Sequence, residues 1–171
     1  MSARAALLKS QFQVAKMVYN GTVGDLTAEL ASKTIDGAQI GAILPIQAHA
    51  IFDLDAMVNQ IGAGKEPVLV TGGWAEKTGI PGPSLRQGPE WGAANYNLDG
   101  LKAYGEAVWA SVDAFFDSVG DAELDKEVQS PVGGTVQVAS FLGGLGIVHL
   151  SAHAGEIAAL KGVHGVKGLP F

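Results

Sequence analysis

The sequence predicts an all-α fold, a four-helix bundle, on two observations. Four segments carry apolar residues at helical spacing, and glycine, proline or asparagine lies at their ends. A long segment rich in glycine and proline, residues 62–90, separates the second helix from the third. We expect residues 1–171 to form a single domain, because 47% of the residues are apolar and the chain is long enough to bury a core.

The first two helices are predicted from apolar periodicity and from the residues that end it. Helix one runs from Ala3 to about Tyr19, and Asn20-Gly21 supplies a stop. Helix two runs from about Ala38 to Ile61 and ends at Gly62. Pro45 either kinks helix two or marks a late start.

The last two helices follow from the same pattern. Helix three spans Asn97 to Val119, with an apolar face opposite a charged one. Helix four spans about Thr135 to Lys161 and is closed by Gly162. Residues 128–155 carry no charged side chain, which would also fit a membrane span. Glutamine, serine, histidine and glycine dilute the hydropathy there, so we expect a central buried helix.

The long connection bears on how the helices are ordered. Antiparallel neighbours need only a few linking residues, whereas a parallel pair needs a link about as long as the bundle. Residues 62–90 therefore permit an up-down-down-up order with the crossover between helices two and three. Pro67 to Thr71 could form a short extended piece, but five residues do not define a sheet.

The composition excludes several classes of function. The chain has no cysteine, which excludes disulfides, a thiolate nucleophile and cysteine-ligated metals, and which fits a cytoplasmic protein. The formal charge is −6 and no lysine or arginine cluster occurs, so we expect neither nucleic acid nor an anionic membrane as a partner. The apolar run Ala5 to Leu8 is too short for a signal peptide.

Three histidines in apolar stretches predict a metal site. His149 and His153 lie four residues apart on helix four and project from one face, where they can hold one ion between them. Such a pair also occurs on solvated helices that bind nothing, but buried imidazoles need partners, and a metal supplies one for both. His49, a hundred residues upstream, would complete a three-nitrogen site with open positions, as catalytic metals have. His164, beyond the helix, is expected to be exposed.

Spacing excludes two other metal chemistries. Proteases with a His-Glu-x-x-His motif need a glutamate directly after the first histidine, where this chain has Leu150. Di-iron bundles need paired Glu-x-x-His motifs, and none precedes any of the four histidines. A mononuclear site remains.

Two carboxylates lie close to the histidines in sequence. Asp53, one turn after His49, is a fourth ligand, an acceptor for an imidazole N–H or a solvated charge, and the acceptor role is favoured. A short internal repeat, when aligned at the histidines, sets Asp53 against His153. Glu156 could accept a proton from His153, although a surface glutamate is the more common case. Gly155 would let a neighbouring helix approach closely.

With a lone histidine in helix two, a long crossover and His-x-x-x-His-x-Gly-x-Ile in helix four, the chain resembles the DinB/YfiT family of metalloenzymes. The resemblance implies an up-down-down-up four-helix bundle, often a homodimer. It also implies a divalent metal, commonly zinc or nickel, with His49, His149 and His153 as its ligands. Characterised relatives include isomerases and transferases that use thiols such as mycothiol or bacillithiol.

The chain departs from the common family pattern at two places. Glu156 stands where a glutamine often precedes the isoleucine, and Gly143-Gly144-Leu-Gly146 leads into the motif. These glycines either loosen the helix or allow close packing. The leading hypothesis is an enzyme whose metal activates water or a small-molecule thiol for transfer, isomerisation or hydrolysis of a small substrate. The alternative is a noncatalytic bundle that binds a small ligand or a partner.

Overall fold

The computed structural model describes residues 1–37, 41–83 and 88–171, and the described chain is mostly helical. In chain order, its first half contains α1 (Ala3–Val23), α2 (Ala28–Ser32), α3 (Ile43–Asp55), a π-helical segment (Ala56–Gly62), α4 (Val68–Thr71) and α5 (Trp74–Thr78). Its second half contains α6 (Pro89–Ala93), α7 (Leu98–Ser118), α8 (Asp121–Leu124), β1 (Glu127–Gln129), β2 (Thr135–Gln137), α9 (Val138–Phe141), a second π-helical segment (Leu142–Gly146) and α10 (Ile147–Val163).

The four long helices enclose the core. Helix α10 packs against α1 and α3, and α7 packs against the same two helices on the other side. Large side chains from all of them are fully buried, including Phe12, Phe52, Tyr104, Trp109 and Phe116. Helices two and four of the prediction, which carry the histidines, are therefore neighbours.

The predicted end of the first helix was wrong by one turn. Asn20 and Gly21 lie inside α1, because Thr22 and Val23 are buried and their packing outweighs the local stop signal. A side chain at Gly21 would collide with Pro170, since a Cβ built there lies 2.7 Å from the proline Cβ. The glycine therefore serves the packing of the C-terminal segment.

The second predicted helix is confirmed in its core and differs at its start. Its first predicted residues, 38–40, lie outside the described residues. The described helix begins at Ile43, so Pro45 lies in the first turn, where proline is tolerated and causes no kink. The helix continues as a π-helical segment to Gly62, as predicted for its end. The third helix is also confirmed, and the Asn97 side chain accepts from the Gly100 N–H as its N-cap.

The all-α prediction misses a small hairpin. Residues 135–137, which the sequence predicts to begin helix four, form β2 and pair antiparallel with β1. Gly133 and Gly134 have φ of 105° and 80° in the turn between them, a conformation that favours glycine. At the other end, Gly162 lies within α10 rather than closing it, and Gly165, with φ of 77°, follows the cap residue His164. Pro67–Thr71 is not extended, because Val68–Thr71 is helical.

Among the described residues, one continuous helical stretch, Val138–Val163, is long and apolar enough by composition to cross a membrane. Only 33% of its most apolar window is buried, so the helix is less central than predicted. One face packs on α1 and α3, while Val148, Ala152 and Gly155 lie on an exposed face.

A buried carboxylate fixes the long connection to the bundle. The Asp55 side chain accepts from the Asn59 amide at 2.8 Å, from the backbone N–H groups of Val68 and Leu69 at 2.9 Å, and from the Tyr104 hydroxyl at 2.5 Å. Burial and the Asp55 carboxylate raise the pKa of the Tyr104 phenol, so it stays a proton donor. Asp55 thus joins the π-helical segment, α4 and α7.

We expect Asp55→Ala to lower the free energy of unfolding by about 3 kcal/mol or more, because four buried donors would lose their acceptor. Chemical denaturation followed by circular dichroism measures the change. Asp117, which is exposed and pairs with Lys9 at the surface, provides the control. Asp117→Ala should change the same quantity by less than about 1 kcal/mol. Equal effects of the two substitutions would contradict a structural role for Asp55.

Candidate metal centre

Two packed helices carry every side chain of the predicted site. His49 and Asp53 are one turn apart on α3, and His149, His153 and Glu156 occupy one side of α10. Contact between the two helices brings together histidines that are a hundred residues apart in sequence.

The three imidazoles face one another through the same nitrogen. The Nε2 atoms of His49 and His149 lie 3.1 Å apart, and those of His149 and His153 lie 3.2 Å apart. The rings meet edge to face, with centroids 4.4–4.8 Å apart. These histidines could therefore hold a metal ion, since one ligand atom from each lies within 4.8 Å of the others.

The distances between the Nε2 atoms fit the binding of a single first-row transition-metal ion. Nitrogens about 2.1 Å from one ion are about 3.0 Å apart at a right angle and about 3.4 Å apart at a tetrahedral angle. Both Nε2–Nε2 separations in the structure fall between these limits. The donor set also fits, because neutral imidazole suits zinc, nickel and copper.

Hydrogen bonds among the rings account for this arrangement less well than a cation does. An imidazole nitrogen has one site in the ring plane, either an N–H or a lone pair. His149 Nε2 lies near three atoms at once, namely the two other Nε2 atoms and Asp53 Oδ2 at 3.3 Å. A single proton on His149 Nε2 can satisfy only one of these contacts. A cation shared by the three rings attracts the lone pairs of all the neighbouring nitrogen and oxygen atoms.

Asp53 is buried beside two of the histidines. Besides the contact with His149, its Oδ1 lies 3.6 Å from His49 Nδ1. The side chain is 10% exposed, so it is not a solvated helix charge. Both remaining alternatives, a fourth ligand and an acceptor for an imidazole N–H, fit this position. The internal repeat, which aligns Asp53 with His153, is consistent with this position. Both side chains lie beside His149, Asp53 from α3 and His153 from α10.

Glu156 contacts the third histidine from the solvent side. Its Oε2 lies 2.5 Å from His153 Nδ1, and its side chain is 47% exposed. A carboxylate at Nδ1 holds the ring in the tautomer whose Nε2 lone pair is available to a cation. The glutamate is thus both a surface residue and a partner of the histidine.

The centre lies near the protein surface. The side chains of His49, His149 and His153 are 29%, 17% and 18% exposed. These histidine side chains therefore lie partly at the surface and not wholly within the closed core. His164, which was expected to be exposed, is half-buried at the end of α10.

The glycines around the motif have different roles. A Cβ on Gly143 would lie 2.9 Å from Leu8, and one on Gly146 would lie 3.3 Å from Phe12. These two glycines therefore permit close packing of α1, and both lie in a π-helical segment. The predicted close approach at Gly155 was wrong, because its Cβ would meet no described atom within 4 Å.

The chain matches no protein-family model, and no curated protein sequence matches it. Its fold is similar to that of a conserved protein from Enterococcus faecalis, known from a crystal structure, with a TM-score of 0.73. The match covers 96% of this chain and 99% of that chain at 19% sequence identity. A likeness at this identity concerns the fold alone.

We expect the purified chain to bind one zinc or nickel ion and His153→Ala to lower its affinity at least about 100-fold, since one of three ligands is removed. Isothermal titration of the metal-free chain measures the affinity. The variant should keep its helical circular dichroism, because the core consists of apolar faces. His164→Ala, at a histidine outside the cluster, is the matched control and should bind like the wild type. Equal affinity in all three proteins would disprove the centre.

Proposed function

We propose that this chain is a DinB/YfiT-like metal-dependent enzyme that activates a small thiol or water for transfer, isomerisation or hydrolysis. The observation that carries the proposal is the convergence of three Nε2 atoms, 3.1 and 3.2 Å apart, on histidine side chains that are partly exposed. His49, His149 and His153 would hold the ion, with zinc or nickel favoured by the imidazole donors.

The proposed architecture is an up-down-down-up four-helix bundle of α1, α3, α7 and α10. In support, Arg4 near the start of α1 pairs with Asp121 beyond the end of α7, as expected for antiparallel helices. Leu8 lies against Gly143, and the Lys161 ammonium group donates to the main-chain oxygen of Thr22 at 2.8 Å. Both contacts are expected for parallel α1 and α10.

The order of α3 and α7 fits the same arrangement. Ile51 lies against Gly105, and Asn59 donates to Ser111 at 2.8 Å, as expected for a parallel pair. Parallel helices that follow one another in the chain need the long crossover formed by residues 63–97.

The chain's own residues prepare the site. Glu156 holds the His153 ring through Nδ1, which favours a lone pair on the His153 Nε2 atom that faces His149 Nε2. The Asp53 carboxylate lies within 3.3 Å of His149 Nε2, where its negative charge favours a cation and where it can accept a proton released by a bound thiol or water.

A bound divalent ion supplies Lewis acidity, which brings the pKa of a coordinated water or thiol toward neutrality. The chain contains no cysteine, so any thiol must come from a small molecule. The histidine side chains are 17–29% exposed, which places the proposed site near the surface where such a molecule would bind. The homodimer and the cytoplasmic location remain predictions.

We expect Glu156→Gln to weaken zinc affinity about 10- to 100-fold, because a neutral amide holds the His153 tautomer less strongly than a carboxylate does. Glu76→Gln, an exposed glutamate on α5, is the control and should have no effect. Competition with a chromophoric chelator gives both affinities. A Glu156→Gln protein with unchanged affinity would show that the contact with His153 is incidental.

The proposed activity is tested with cobalt as a spectroscopic substitute for zinc. We expect mercaptoethanol to change the visible spectrum of the cobalt-loaded chain, because a thiolate that enters an open position alters the ligand field. The His153→Ala protein, treated identically, should show no such change. Conjugation of the thiol to an electrophile should be faster with the zinc-loaded wild type than with the metal-free chain.

The outcomes separate the enzyme from a noncatalytic bundle. A spectrum that responds to neither thiols nor small anions would indicate a closed structural metal and would contradict the proposal. A response to thiols without any rate increase for a panel of electrophiles and esters would favour a ligand-binding module.

A further inference from the structure

A cleft of about 270 Å³ lies between the end of α1, the start of α3 and the first turns of α7. This volume corresponds to roughly nine water molecules at about 30 Å³ each. A small organic ligand would fit in such a space. Its walls combine apolar and polar side chains, chiefly Tyr19, Val23, Leu101, Gln47, Asn20 and Glu106.

A buried amide oxygen lines this cleft without a hydrogen-bond partner. Gln47 is 1% exposed, and its side-chain oxygen has no partner within the part of the chain that the structure describes. A buried amide that makes no hydrogen bond is unfavourable, and native structures rarely contain one without a reason. The Gln47 side chain thus brings an unused acceptor to the cleft wall, with the NH₂ donor of the same amide beside it.

Several other polar groups of the wall are already engaged. The Tyr19 hydroxyl donates to the main-chain oxygen of Gln47 at 3.3 Å, and the Lys102 ammonium group donates to two backbone carbonyls at 3.0 and 3.1 Å. The Asn20 side-chain oxygen accepts from the Trp109 indole N–H at 3.1 Å. The Gln47 amide is therefore the buried polar group left for a ligand.

The cleft is separate from the histidine centre. Gln47 and His49 are two residues apart on α3, which corresponds to about 200° around the helix, so their side chains project from opposite sides. The lining residues come from α1, α3, α7 and the loop after α1, whereas the histidines lie between α3 and α10.

We propose that this cleft is a second binding site, specific for a small aryl or alicyclic carboxamide. An amide of the ligand pairs with the Gln47 amide by two hydrogen bonds, one in each direction, and its ring lies against Val23 and Leu101. A carboxylate fits less well, because it has no donor for the glutamine oxygen and meets the negative charge of Glu106 at the exposed rim.

Benzamide is the probe, titrated into the full-length chain and followed by two-dimensional proton–nitrogen NMR. We expect a saturable shift of the Trp109 indole N–H, because this group bonds Asn20 in the cleft wall. Gln47→Met, which keeps the length but removes the amide, should weaken binding at least about tenfold. Gln11→Met, at an exposed glutamine of α1, is the matched control and should bind like the wild type.

A second probe keeps the test independent of how well the variant folds. N,N-Dimethylbenzamide has the same ring and carbonyl but no N–H, and it should bind the wild type at least about tenfold more weakly than benzamide. Benzamide should still bind His153→Ala, which separates this site from the metal centre. Equal affinity for the two probes, shifts centred on the histidines, or no saturable binding would each overturn the proposal.

Discussion

The packing of α10 against both α1 and α3 is the constraint on which the candidate centre depends. On one side, Gly143 and Gly146 let α1 approach so closely that a Cβ would collide with Leu8 or crowd Phe12. On the other, His149 and His153 face α3. The π-helical segment before α10 adds a residue to a turn and so rotates the helix that follows. The glycines and this rotation together determine which face carries the imidazoles toward His49.

Helix α3 is buried on most of its surface because it is apolar on nearly all sides. Its few polar side chains point in several directions. Asp53 points to the histidines, Asp55 holds the long connection and α7, and Gln47 lines the cleft. Each of these side chains therefore interacts with a different part of the structure. A substitution in α3 therefore affects the site, the connection or the cleft according to its angular position.

The sequence was sufficient for features that depend on local pattern. Apolar periodicity located the long helices, and the histidine spacing identified three residues that the structure brings together. Features that depend on distant contacts were not predictable: Asp55 lies two residues from Asp53, and nothing local marks it as the acceptor for Val68 and Leu69. The end of α1 and the hairpin were missed for the same reason, since burial of Val23 and strand pairing outweigh local signals.

The same physical rule applies at two places where the described part of the chain departs from a fully satisfied interior. Most buried polar groups here have protein partners, as Lys161 has with Thr22 and Asp25. At the centre, one imidazole nitrogen of His149 has more close polar neighbours than a single proton can satisfy. In the cleft, the Gln47 amide has fewer than it needs. A cation would resolve the first and a hydrogen-bonding ligand would resolve the second, which is why we propose a binding site at each.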